Sequence, residues 1–213
     1  VMTAGTTFDS TKEYLLEMLK DIQEGKSQLP DFQRGWIWDD NHILSLLASI
    51  SQSYPIGAVM MLEAGNADVR FKPRPVEGVD LESNGMPERY ILDGQQRLTS
   101  LFQAILLQKA VETRDERDKK IKRWYYIDIK KALSRNGDME EAIISLPEDR
   151  KLLNFRGEVI KDYSTPEKEY EAHLFPVSQV FDCSEWRQGF NSYWNYESNK
   201  VKLFDAFEKE VIK

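Results

Sequence analysis

The sequence predicts an α/β domain, a small mixed sheet with helices packed on it, and three stretches carry that expectation. Arg89–Leu101 (RYILDGQQRLTSL) reads as a short buried strand that turns at a glycine into an amphipathic helix. Tyr90, Ile91 and Leu92 supply the strand's apolar run, and Leu98, Leu101, Phe102, Ile105 and Leu106 recur at the i, i+3, i+4, i+7, i+8 spacing of a helix's core face. Ala58–Leu62 (AVMML) is continuously apolar, as in a strand covered on both faces. Arg123–Ile129 (RWYYIDI) is aromatic and β-branched, the composition of a third strand. The expected sheet joins strands near 57–62, 89–93 and 123–129, with helices 10–24, 41–53 and 95–109 against it.

Taken in order, Ser10–Glu13 has the form of a capping box, and Tyr14, Leu15, Met18, Leu19 and Ile22 make the buried face of a helix that ends at Gly25. Gln28–Trp38 (QLPDFQRGWIW) is extended, since Pro30 opposes helix and Gly35 permits a turn. Asp39 or Asp40 caps a second helix with Ile43, Leu46, Leu47 and Ile50 on its face, and Tyr54–Gly57 (YPIG) ends it. Residues 63–88, rich in Gly, Pro and Asn without period, read as a loop or hairpin insertion. Beyond the third strand, a helix is expected at 138–145, irregular chain at 150–182, and helices at 185–194 and 200–213. Two units follow: a mixed α/β domain over 1–135, which carries the candidate site, and a helical extension over 136–213 that leads into a further region.

Composition bounds the function. With 213 residues and 41% hydrophobic content, including five Trp, nine Tyr and ten Phe, the chain can bury a substantial core. No apolar run approaches the roughly 20 residues of a membrane span, and Val1–Gly5 lacks the charged-then-apolar order of a signal peptide, so a cytoplasmic location is expected. A single cysteine, Cys183, rules out an internal disulfide, and His42 and His173 are too few for a Cys/His zinc cluster. Carboxylate-bound Mg²⁺ remains open. A net charge of −7 makes any grip on nucleic acid local. Arg70–Arg74 (RFKPR) is one basic patch, whereas Arg114–Arg123 interleaves Asp115, Glu116 and Asp118 and reads as a solvated surface.

The chemistry is expected at the junction Asp93–Gly94. A strand-to-helix turn leaves backbone N–H groups unpaired at the positive end of the helix dipole, a ready seat for a phosphate. Gly94 lets a ligand approach the backbone, and Arg97 can fork onto phosphate oxygens. Asp93, Gln95 and Gln96 are the catalytic candidates, with Asp93 also the candidate Mg²⁺ ligand. Gly94, Arg97, Thr99, Gln33 and Arg34 are the candidate nucleotide and phosphate contacts. Trp36 and Trp38 fit base stacking and core packing equally well. Asp93 followed by Gln96 also has the form of a capping box, a purely structural use of the same residues.

Three boxes carry a resemblance: Leu29–Trp38 (LPDFQRGWIW), Tyr54–Gly57 with its strand, and Ile91–Leu101 (ILDGQQRLTSL). In this order, over roughly residues 10–130, they resemble the N-terminal domain of the GmrSD-type restriction and phage-defence proteins. More widely the chain is similar to the ParB and sulfiredoxin superfamily, in which a Gly-x-x-Arg turn at a helix start binds a nucleotide triphosphate; Gly94 and Arg97 occupy those positions. Sulfiredoxins place a reactive cysteine after the glycine, and Gln95 stands there in this chain, which removes thiol chemistry.

The resemblance implies a nucleotide-binding, NTP-hydrolysing regulatory domain of a DNA endonuclease that acts on modified or foreign DNA, with a separate C-terminal nuclease domain as partner. It implies NTP as substrate or ligand, Mg²⁺ as cofactor, and DNA reached through the full-length protein; a homodimer stays open. A sensing module that binds nucleotide or DNA without turnover is the alternative. Direct DNA cleavage is less favoured, because one carboxylate at the box makes a poor two-metal site.

Overall fold

The structure, a computed structural model, describes residues 13–52, 56–65, 70–81, 85–134 and 138–212. Residues 10–12 of the expected capping box and residues 54–55 of the expected helix stop lie outside these. The first helix, α1 (Leu15–Gln23), buries Met18, Leu19 and Ile22, and the chain leaves it through Gly25 at a φ of 74°. There follow β1 (Ser27–Pro30), α2 (Asp40–Ser51), β2 (Met60–Glu63), β3 (Pro73–Arg74), β4 (Arg89–Asp93) and α3 (Gln95–Leu101), which continues as a π-helical turn over Phe102–Leu106. The fold is mixed α and β, as the sequence predicts.

The first sheet is mixed, in the order β2-β4-β1-β3. β1 runs parallel to β4, while β2 and β3 are antiparallel to their neighbours. Its composition corrects the sequence reading, because the 123–129 stretch is not part of it. That stretch lies in β6 (Lys120–Asp128), the centre of a second, antiparallel sheet with β5 (Val111–Arg114), β7 (Ile143–Pro147) and β10 (Leu174–Pro176). A tight turn over 115–119 joins β5 to β6, and adjacent strands joined this way pair with each other before any distant edge. The place expected for 123–129 is taken by β1, whose four residues are all buried.

Helix α2 ties the two sheets. Asp39 caps it by accepting from the His42 N–H at 2.9 Å. Asp40 instead reaches the second sheet, accepting from the Tyr125 hydroxyl at 2.8 Å and from Ser145 Oγ at 2.8 Å.

The second half departs from expectation in detail. The helix expected at 138–145 is a single turn, α5 (Met139–Ala142), after which Ile143 and Ile144 open β7, as β-branched residues favour. The irregular 150–182 stretch contains a hairpin, β8 (Lys151–Leu153) with β9 (Val159–Asp162), then α6 (Pro166–Ala172) and β10. The last two expected helices are present as α7 (Ser184–Tyr193) and α8 (Ser198–Phe207), the latter running into a π-helical turn, Glu208–Ile212. Phe175, Trp186, Phe190, Phe204 and Phe207 pack there with ring centroids 5.1–6.1 Å apart. One buried apolar cluster runs from Met18 to Phe207 and so draws on both sides of residue 135.

Candidate functional site

Strand β4 delivers Asp93 to the sheet's end, still paired in register with Met60. Gly94 then turns the chain at a φ of 86°, a left-handed conformation that side chains resist, and is itself the helix N-cap. The first helical bond runs from the Leu98 N–H to the Gly94 carbonyl at 3.0 Å. No side chain caps the helix, so the Asp93–Gln96 capping box does not form. Asp93 is displaced from the capping position by one residue, and its carboxylate lies exposed at the strand end.

The polar side chains that follow bind neighbouring backbone. The Gln96 carboxamide behaves like an extra peptide unit: Oε1 accepts from the Ile37 N–H at 2.9 Å and Nε2 donates to the Gly35 carbonyl at 3.1 Å. Gln95 Nε2 donates to the Arg34 carbonyl, and Gln33 Nε2 donates to the Leu92 carbonyl at 2.7 Å. Trp36 Nε1 donates to Ser100 Oγ at 2.9 Å. The 33–38 segment is therefore stitched along β4 and α3, which brings Gln33 and Arg34 beside the 92–97 segment.

Arg97 has a second duty. Its NH1 donates to the Ile56 carbonyl and its NH2 to the Ala58 carbonyl at 2.8 Å. Two of five guanidinium N–H groups are thus consumed. The grip explains Gly57, which has a φ of 87° and where an added Cβ would collide with Arg97 NH1. Thr99 is not at this surface: it is fully buried, and its hydroxyl has no partner among the described residues.

Trp36 and Trp38 are half-buried and pack on the core, yet both also line an open groove of about 540 Å³. Its other walls include Arg114, Lys120 and Lys122 of the β5–β6 hairpin, with Glu112 and Glu148, and none of Asp93, Gly94 or Arg97. Lys122 pairs with Glu148 at 2.9 Å, which holds its ammonium above the ordinary lysine range. Arg114 pairs with Asp118 at 2.6 Å, so the mixed-sign stretch is a solvated hairpin.

Sequence reasoning missed Glu77 and the Ile56–Ala58 carbonyls. Glu77 Oε1 accepts from the Trp36 N–H at 3.0 Å and pairs with Arg74 at 2.8 Å, while its carbonyl accepts from Gln103 Nε2 at 2.8 Å. Arg74, one of the three cations of the expected basic patch, is occupied in this way. Glu77 lies in an aperiodic insertion, where nothing in the sequence marks it. Among the described residues no group of three or more His, Cys, Asp or Glu side chains is placed to hold a metal ion. Asp93, the one carboxylate of the box, fits Mg²⁺ only with phosphate oxygens completing the shell, the usual way this ion is held.

The sequence model of the GmrSD restriction endonuclease N-terminal domain matches residues 15–211, nearly the whole chain. The chain belongs to this family. The match includes the Gln33–Trp38 and Asp93–Arg97 boxes and extends through α8, well past the stretch that carries the resemblance in the sequence. The uncharacterized protein MJ0686 of Methanocaldococcus jannaschii is 38% identical over 95 residues, 43% of this chain but 16% of that protein. No helix among the described residues is long and apolar enough to cross a membrane.

Proposed function

We propose that this GmrSD-type domain binds a nucleoside triphosphate at the β4–α3 junction and, by hydrolysing it, regulates a DNA endonuclease acting on modified or foreign DNA. The observation that carries the reading is a helix start with no side-chain cap, flanked by the exposed Asp93 carboxylate and the partly exposed Arg97 guanidinium. In this reading the N–H groups after Gly94 and the remaining donors of Arg97 hold the phosphates, and Arg34 closes the site. Asp93 holds Mg²⁺ jointly with the phosphates, an ion that neutralises the charge developing on them. Trp36 and Trp38 offer a stacking surface for a base. The nuclease partner domain and DNA contact through the full-length protein belong to the same proposal.

One observation favours binding without turnover. The Gln95 and Gln96 amides, the candidates for orienting water, are bonded to the Arg34 and Gly35 carbonyls. Calorimetric titration with ATP, GTP and CTP, together with an assay of released phosphate, tests both readings. Binding with phosphate release above a no-protein control supports the NTPase, binding alone supports the sensing module, and no binding removes both.

A further inference from the structure

Outside the junction, the strongest unexplained feature is the β8–β9 hairpin. Four of its large apolar side chains lie in the open: Leu153 at 55% exposure, Phe155 at 92%, Val159 at 53% and Ile160 at 59%. Leu153 and Val159 are register partners and therefore share a face. Scattered exposed hydrophobics are ordinary, but a cluster on one ribbon marks a contact surface.

The hairpin is built to present this face rigidly. Its base is anchored on the second sheet, with Leu152 and Tyr163 packed on the Tyr126, Leu146 and Leu174 cluster. Its tip is pre-set by Asn154, whose Oδ1 accepts from the N–H groups of Arg156 at 2.9 Å and Glu158 at 3.0 Å. Phe155 projects from this locked turn with the Arg156 guanidinium over its ring at 5.2 Å.

Charge indicates the occupant. Along the ribbon itself, Lys151–Lys161, the cations are Lys151, Arg156 and Lys161 and the carboxylate is Glu158, so three positive minus one negative charge leave +2 in a chain of −7. Asp162, next along the chain, pairs with Lys168 at 2.5 Å; Glu158 accepts from Asn154 Nδ2 at 2.8 Å and keeps its charge, while Arg156 and Lys161 are exposed and make no ion pair among the described residues.

We propose that this hairpin is a duplex-DNA contact in which Phe155 wedges into a base step while Lys151, Arg156 and Lys161 rest on phosphates. A two-stranded ribbon fits a DNA groove, and an apolar wedge that unstacks a step is a known way for proteins to gain purchase on duplex. The assignment rests on the DNA-contact part of the function proposed above and needs nothing of its nucleotide part, so each fails separately.

The test is fluorescence anisotropy of a labelled duplex at low salt, with 2-aminopurine in a parallel duplex to report unstacking. The parent chain should bind, with affinity falling as salt rises, and brighten the 2-aminopurine. Phe155→Ala should keep the parent's melting temperature, lose the brightening and bind roughly fivefold or more weakly. Arg156→Gln should weaken binding and flatten the salt dependence. The proposal is overturned by a parent that does not bind duplex or binds without brightening, and equally by a Phe155→Ala variant that binds as well as the parent. So does loss of self-association by Phe155→Ala in sedimentation with DNA binding unchanged overturn it, since the ribbon would then be an interface between copies.

Discussion

The β4–α3 junction and the C-terminal aromatic cluster are held by different physics. At the junction Gln33, Gln95, Gln96 and Arg97 each donate to specific backbone carbonyls, those of Leu92, Arg34, Gly35, Ile56 and Ala58. In the cluster Phe175, Trp186, Phe190, Phe204 and Phe207 are almost wholly buried, and shape and area do the holding. Hydrogen bonds are directional and cost most when one partner is orphaned, whereas ring packing tolerates rotation but not lost volume. The junction should therefore be sensitive to polar swaps of equal size and the cluster to truncation.

The largest effect belongs to the cluster. Phe204→Ala removes a fully buried ring at the centre of four ring contacts and should cost about 3–5 kcal/mol, seen as a lowered midpoint in urea. A change under about 1 kcal/mol would mean that packing is not what holds this half.

Beside that cluster, His173 gives the C-terminal half a pH dependence. Burial, then the charges of Lys130 and Lys200, push its pKa down from 6.5 to about 4. The neutral ring donates from Nδ1 to the Glu171 carbonyl at 2.9 Å and accepts at Nε2 from the Lys200 ammonium at 2.9 Å. Because the unfolded chain takes up the proton first, stability is lost as pH falls from 6.5 to about 4 and is level below that, by at most about 3 kcal/mol. His173→Asn, which tolerates the left-handed backbone at φ 58°, should flatten that limb of the melting curve. Equal slopes for the two proteins would contradict the assignment.

At the junction, Arg97→Lys sharpens the comparison. It removes a fork that holds two carbonyls of the Ile56–Ala58 loop, and about 1–2 kcal/mol of stability should go with it. An unchanged melting temperature would show that the grip on the loop contributes nothing.

What was legible in the sequence follows the range of the forces. β4, the face of α3, the Gly25 stop and the Asp39 cap are local patterns and could be read. β1 was legible only as extended chain from Gln28 and not as a buried sheet strand, because Ser27 and Gln28 give no apolar signal and yet are buried where they pair with β4. Membership of β6 in a second sheet is likewise a pairing outcome that composition does not encode. The box residues were recognisable as a group, but their partners were not. Asp93 and Gln96 have the right spacing for a capping box, and only the left-handed turn at Gly94 shifts the cap by one residue. Gln96 and Arg97 then reach segments between 39 and 61 residues away in sequence, across distances that no local pattern reports.

The most direct test of the central claim is Asp93→Asn, the change with the smallest expected effect on stability. The side chain is exposed and makes no cap, so the melting temperature should match the parent's. Asparagine lacks the charge that holds Mg²⁺, so calorimetric titration with ATP, GTP and CTP should show the Mg²⁺-dependent part of nucleotide binding lost. A parent that binds none of the three, or a variant that binds as the parent does with Mg²⁺ present, would contradict the account.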